Sequence, residues 1–448
     1  MSQEPVNTSS TPAVCPYSGA TLSRPSVSNY EDTETTTVAS KIIAPPADAN
    51  IFYDPLTFAD YDHPYDVYRQ LRDSAPVYFS PRLGVWVLSR YEDVQAAFKN
   101  HEQMISSKGN DIDGTHDSYG KGNLVAQDPP RHTALRQAVR RVFALREILA
   151  KEDGLREVAR ELIRDMKAKD NADFAADFAL PFAFSASTTL VGLPKKDIPF
   201  LLEHLVRSME RSVGELGVPE DAAVSNEEAE VYIQEVVDAR LAEISAGDDI
   251  NRSDVITQVV AASEKGKVDA DEIVGLTHLI YSASIDAPSA LLTNIMYVFD
   301  KFPNMVKFLR ETPSMIPQFV EEVLRYETPG QNVSRQTTAE VTFAGVTIPA
   351  DSRVMLLQGS ANRDERVFEN PDIFDITRDF TKASKIISFG DGIHACMGAP
   401  LARLMAKVAV EELIAQGDEI RIVGFPQRWA KQLVRGFSFQ PIKFYSVN

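Results

Sequence analysis

The chain is short of what a secreted or membrane-spanning protein needs. Only two cysteines, Cys15 and Cys396, occur in 448 residues. That is too few for a disulfide framework and suits a reducing cytosol. No apolar run is long enough to span a bilayer. The N-terminus lacks the basic-then-apolar pattern of a secretory signal, so a cytoplasmic location is expected. Positive charge is in deficit: 46 Lys and Arg against 64 Asp and Glu give a formal net charge of −18. That balance argues against nonspecific nucleic-acid binding and favours solubility. What is present is ordinary for a globular protein, with 44% apolar and 25% charged residues.

Residues 1–47 are rich in Ser, Thr and Pro and poor in large apolar groups. They read as a disordered or loosely attached extension, and Cys15 belongs to that solvated tail. The body reads as many helices with a few short strands. Residues 65–73 are helical, and 77–79 and 85–88 are strands joined by a turn around Pro81 and Gly84. Residues 101–127 form a long, polar, Gly-rich loop, and such loops in compact domains are usually functional. Helices dominate from about 131 to 326, with an acidic, Pro-containing break over 214–226. Strands return at 341–343 and 354–356, and 436–440 is expected to form a hairpin turn. Length alone suggests two or three domains, yet no linker interrupts the body.

The run Phe389-Gly390-Asp391-Gly392-Ile393-His394-Ala395-Cys396-Met397-Gly398 is the most informative feature. A lone cysteine is usually a small buried hydrophobe. That reading leaves the glycine framing and His394 unexplained. Glycines permit close backbone approach and positive φ, and a thiolate held in such a loop can be the axial ligand of a haem iron. Three further motifs accompany it. They are Glu322-Val323-Leu324-Arg325, then Asn362-Arg363-Asp364 followed by Asn370-Pro371-Asp372, and Asp128-Pro129-Pro130-Arg131-His132-Thr133-Ala134-Leu135-Arg136. E-x-x-R alone would be noise, but the four together, following one another along the chain in the family's order, resemble the haem-thiolate monooxygenases, the cytochromes P-450 of soluble bacterial type. The resemblance covers roughly residues 48–448.

The resemblance implies a single domain over 48–448, mainly α with small β-sheets. Haem b would lie between an oxygen-activating helix and the Cys396 loop, with Cys396 as iron ligand and Phe389 and Gly390 in the cofactor loop. Backbone N–H groups of the loop and of the helix starting near Ala399-Pro400 would stabilise the thiolate. His132 and Arg136, four apart on one helix face, would meet the haem propionates with Arg335 and His394, Arg being suited to bidentate carboxylate bonding. Glu322, Arg325 and Arg378 would form a buried structural triad that fixes the Cys396 loop. Pocket walls would come from Ala283, Ala287, Val333, Phe437 and Phe439, with Gln331 and Asn332 as polar handles. The substrate would be a small, mostly apolar molecule, with a lean toward methoxy- or alkyl-aromatics. Electrons would come from NAD(P)H through a reductase and a ferredoxin or flavodoxin. Arg136, Arg140, Arg141 and Arg146 would offer a basic docking face on an acidic protein. A monomer is expected.

One segment departs from the pattern. Where the family has A-G-x-D/E-T-T, this chain has Ala283-Ser284-Ile285-Asp286-Ala287-Pro288. The acid is kept as Asp286, but Ala287 replaces the alcohol that steers protons for oxygen activation. Ser284 or Ser289, ordered water or the substrate could take its place. Pro288 should kink the helix, because it cannot donate to the Ser284 carbonyl and its ring clashes with that turn. Met405, standing where the family often has an acid, should matter little. Two other readings compete with the monooxygenase. A peroxide-driven haem enzyme or isomerase would fit the missing alcohol, although the peroxygenase branch has Arg-Pro where this chain has Ala287-Pro288. A non-catalytic haem-thiolate sensor is the other.

Overall fold

The computed structural model describes residues 51–57, 62–112, 120–208, 211–212, 214–247, 253–380 and 385–446. The extension expected over 1–47 lies outside them. Helix α1 (Tyr65–Ser74) leads into strands β1 (Val77–Ser80) and β2 (Val85–Leu88), then α2 (Tyr91–Lys99) and β3 (Met104–Ile105). A helical stretch follows: α3 (Arg131–Val139), α4 (Leu145–Leu149), α5 (Glu152–Lys167), the short β4 (Ala172–Asp173), α6 (Leu180–Val191), α7 (Ile198–Ser208), α8 (Glu220–Ser245) and α9 (Val255–Ser263). It continues through α10 (Ile273–Ala283), α11 (Asp286–Lys301), α12 (Asn304–Glu311) and α13 (Ile316–Tyr326). The last part holds β5 (Val333–Thr337), β6 (Val341–Phe343), β7 (Val346–Ile348), β8 (Arg353–Leu356), α14 (Gln358–Ala361), α15 (Ala399–Ile414), β9 (Glu419–Ile422), β10 (Gln427–Arg428), β11 (Phe437–Phe439) and β12 (Pro441–Tyr445). The architecture is mainly α with small sheets.

The largest sheet has the order β1-β2-β8-β5-β3. Its interior strand β2 is Val-Trp-Val-Leu and buried at every position. Such a strand cannot face water on either side, and it pairs in parallel with β8, Trp86 opposite Val354. This sheet places Arg335 on β5, next to Val354 of β8. A second sheet, β4-β12-β9, closes the C-terminal end.

The main core is built around α10, α11, α13 and α15, whose apolar faces are buried with those of α5, α6 and α9. Helix α15 begins at Ala399, three residues after Cys396, with Pro400 in its first turn. Proline suits that position because the first-turn N–H groups have no intrahelical acceptor. Met405 on α15 is 1% exposed, so a carboxylate there would be buried in the apolar core.

The helix expected to kink at Pro288 is instead interrupted just before it: α10 stops at Ala283 and α11 starts at Asp286. Pro288 is the third residue of α11, where a missing N–H costs nothing. Two boundaries differ from the sequence reading. The break placed over 214–226 ends at Pro219, and Glu220 and Asp221 form the first turn of α8. Their negative charge, read as a loop signal, is stabilising at a helix N-terminus. The turn expected at 436–440 is instead strand β11, paired with β10, so the hairpin tip is 429–436. Gly436 marks a close approach rather than a turn, since a Cβ there would lie 2.7 Å from the Cα of Ala290 on α11. The 101–127 segment is a loop apart from β3 and a 3-10 turn at Leu124–Ala126, with 113–119 outside the described residues.

Candidate active site

The Cys396 loop is shaped by backbone contacts. Gly390 and Gly392 adopt φ of +68° and +69°, a region that favours glycine. A side chain on Gly392 would strike the Phe98 carbonyl. The Cys396 N–H donates to the Phe389 carbonyl at 2.9 Å, and the Phe389 ring lies under the Arg403 guanidinium, 4.6 Å from its centroid. The Cys396 thiol is held above its ordinary pKa by burial, while the N–H groups of Gly398 and Ala399 and the charges of Arg136 and Arg403 pull it down. These are the donors a thiolate requires. Cys396 nevertheless has exposed surface. So does Ala283, although its neighbours Tyr281, Ser282 and Ile285 are buried.

Four basic side chains converge here: His394 of the loop itself, His132 and Arg136 of α3, and Arg335 of β5. The His132 and His394 rings are in contact, tilted at 52° with centroids 4.2 Å apart. Both ring nitrogens of the buried His132 and Nε2 of His394 lack a hydrogen-bond partner. Burial, followed by Arg335, His132 and Arg136, drives the His394 pKa down to about 2. Arg335 is 4% exposed, and burial lowers its pKa to about 10. Its guanidinium donates to the Ser334 carbonyl and enters no ion pair among the described residues. Arg136 donates to the Ala395 carbonyl at 2.8 Å. Asp128, whose charge acts on His132 and Arg335, accepts instead from the Ser106 and Ser107 N–H groups. Buried cations without anions are costly. This donor set fits a ligand that brings two carboxylates.

A second polar cluster has the opposite character. Arg325 and Glu322 are fully buried and joined by two hydrogen bonds of 2.7 Å. Arg378 reaches Glu322 at 3.3 Å, and the Asp375 N–H donates to the same carboxylate. Arg325 also donates to the carbonyls of Asn362, Pro371 and Ile373. The triad expected from the sequence is assembled, and it ties α13 to the segment leading toward the Cys396 loop.

At the helix break, Ser284 Oγ contacts the Ile280 and Tyr281 carbonyls and Ser187 Oγ at 2.7 Å, so its proton is engaged within the helix packing. Ser289 is buried and donates to the Asp286 carbonyl. Ala287 is half-buried. Asp286 pairs with Lys431 of the hairpin tip at 3.1 Å, a partner that no spacing in the sequence signalled. Of the expected pocket residues, Val333 is half-buried at the start of β5. Gln331 accepts from Tyr68 and donates to Thr328, both within the protein. Asn332 donates to the Gln432 carbonyl, leaving its own oxygen unpartnered. Phe437 lies buried between Tyr297 and the Arg428 guanidinium.

Comparison with known proteins accounts for this arrangement. The family model "Cytochrome P450" matches residues 220–416. The erythromycin C-12 hydroxylase of Saccharopolyspora erythraea is 33% identical over 379 residues, 83% of this chain and 92% of that protein. The cyclomarin C epoxidase CymV of Salinispora arenicola is 32% identical over 361 residues, 80% of this chain and 90% of that protein. Among solved structures, cytochrome P450 CREJ in complex with (4-ethylphenyl) dihydrogen phosphate superimposes with a TM-score of 0.78 at 27% identity, covering 88% of this chain and 100% of that one. No described helix is long and apolar enough to cross a membrane. The chain therefore belongs to the cytochrome P450 family of haem-dependent monooxygenases.

Proposed function

We propose that Cys396 is the axial ligand of haem b, in a domain spanning residues 48–448. His132, Arg136, Arg335 and His394 would neutralise the propionates, and Phe389 and Gly390 would shape the loop beneath the ring. The observation that carries this reading is the convergence of four basic side chains, among them two histidines with unpartnered nitrogens, beside the glycine-framed cysteine. The bound haem supplies dioxygen activation, the chemistry a polypeptide lacks. The chain's own contribution is to hold, orient and protonate. N–H groups of Gly398 and Ala399 support the sulfur. Ala283 and Ala287 leave room on the oxygen-activating helix. Asp286 handles protons at the helix break, in place of the acid–alcohol pair, while Ser284 fixes the end of α10 against Ser187. Glu322, Arg325 and Arg378 hold the loop without touching the reaction.

Electrons would reach the site from NAD(P)H through a reductase and a ferredoxin or flavodoxin. Arg140 and Arg141 support this: both are exposed and enter no ion pair among the described residues. Arg146 is paired with Glu147 and contributes less. The substrate would be a small, mostly apolar molecule, with alkyl- or methoxy-aromatics first. The apolar Ala283, Ala287 and Val333 support that class, as does the alkyl-aryl ligand of CREJ. Titrating the ferric protein with aromatic methyl ethers, monoterpenes and fatty acids, while following the Soret band, tests it. A low- to high-spin shift with the aromatic ethers is expected. A shift confined to fatty acids or terpenes would replace this substrate class. A peroxide-driven reaction finds no support at position 287, where the arginine of that branch is absent.

A further inference from the structure

Asp286 does not stand alone at the helix break. Its carboxylate lies 3.1 Å from the Lys431 ammonium, and the two side chains are only 24% and 11% exposed. Lys431 sits in the hairpin tip, its nitrogen 4.6 Å from the centroid of the Trp429 ring. The same hairpin is attached along α11 by further contacts. Gly436 packs directly on Ala290. The Phe437 N–H donates to Thr293 Oγ1 at 3.2 Å, and Asn294 Nδ2 donates to the Arg435 carbonyl at 3.0 Å. Gln440 Nε2 donates to the Thr293 carbonyl. At its base, Arg435 is paired with the buried Glu327 at 3.0 Å. Lys431 is thus carried on a frame already fixed to the helix that bears Asp286. Both side chains are largely buried, so the pair is screened by water less than the exposed pairs that contribute little.

We infer that Lys431 is a positioning residue for Asp286. It sets the direction of the carboxylate at the helix break, and so couples the roof hairpin to proton handling in a chain that lacks the alcohol at position 287. The inference rests on the reading of Asp286 given above. A free carboxylate at the first residue of α11 could turn about its side-chain bonds. Paired with Lys431, Oδ1 is fixed toward the hairpin tip, which limits the orientations open to the other oxygen. No proton needs to leave Lys431 in this role.

The test uses the haem-loaded enzyme and four variants, D286N, K431M, K431R and the double variant D286N/K431M. NADH-driven dioxygen consumption with a surrogate ferredoxin and reductase needs no identified substrate. D286N is expected to slow it on the order of 100-fold, as for a lost proton-transfer group. K431M should slow it about tenfold, since a misdirected carboxylate retains part of its effect. K431R should recover most of the rate. K431M should add nothing to D286N, because residues acting through one another are not additive. A second readout is independent of turnover. The Asp286 carboxylate band, isolated in the infrared difference between the ferric wild type and D286N, should shift in K431M and return in K431R. A K431M variant with wild-type rate and an unshifted band overturns the inference while leaving Asp286 in its role. So does a K431M effect that multiplies with that of D286N. A D286N variant with wild-type rate overturns the role of Asp286 itself.

Discussion

Two polar clusters flank the Cys396 loop, and they differ in whether their charges are answered. Around Glu322, each buried group has a partner: Arg325 gives two hydrogen bonds to the carboxylate and three to carbonyls. Around Arg335, histidine nitrogens lack partners and a buried guanidinium has no anion among the described residues. The first cluster is complete as protein. The second is left unanswered within the described residues, which is why it is proposed as the propionate site. A structural polar site and a binding site can therefore be told apart by whether their buried groups have partners: Arg325 and Arg335 are both buried, and only the first is answered.

Substitutions should separate the two clusters, and the largest effect should fall on the answered one. Glu322→Ala strands the Arg325 guanidinium in the core and should destabilise the fold by about 3–5 kcal/mol, read as a loss of soluble, haem-loaded protein or a steep fall in Tm. Arg335→Leu should act with the opposite sign on the haem-free protein. It removes a buried cation whose charge is unanswered, so haem-free stability by chemical denaturation should hold or rise. Haem affinity, measured by transfer to apomyoglobin, should fall at least about tenfold for a lost charge-assisted bond. Loss of stability in both forms would mean that Arg335 belongs with the structural cluster. Gly436→Ala sharpens the comparison at the hairpin, where a Cβ would press on Ala290. A cost of about 1–3 kcal/mol is expected from overpacking, with haem content retained. The smallest effect belongs to Met405→Leu, a near volume-conserving change in the core, expected to cost less than about 1.5 kcal/mol.

How much of this was legible in the sequence follows from how local each feature is. The Glu322–Arg325 pair is a three-residue helical spacing, and the helix disruption beside Pro288 is a property of one residue and its own turn, so both could be read directly. The cation cluster draws on 132, 136, 335 and 394, positions united only by the fold, and it was legible through motif resemblance alone. The 214–226 break was set too long because Glu220 and Asp221 suit a helix start as well as a loop. The hairpin turn was misplaced because Gly436 serves contact with Ala290, a neighbour 146 positions away by residue number. Lys431 left no local signal: its pairing with Asp286 depends on how the hairpin lies against α11.

The most direct test of the account is the absorbance spectrum of the reduced, CO-bound protein, with haem content per chain, for wild type and Cys396→Ser. The account predicts one haem per chain in the wild type, with the red-shifted Soret band of thiolate ligation. It predicts loss of that band in the variant while far-UV circular dichroism stays unchanged. The thiolate band persisting in Cys396→Ser, or a folded wild type that takes up no haem, would contradict it.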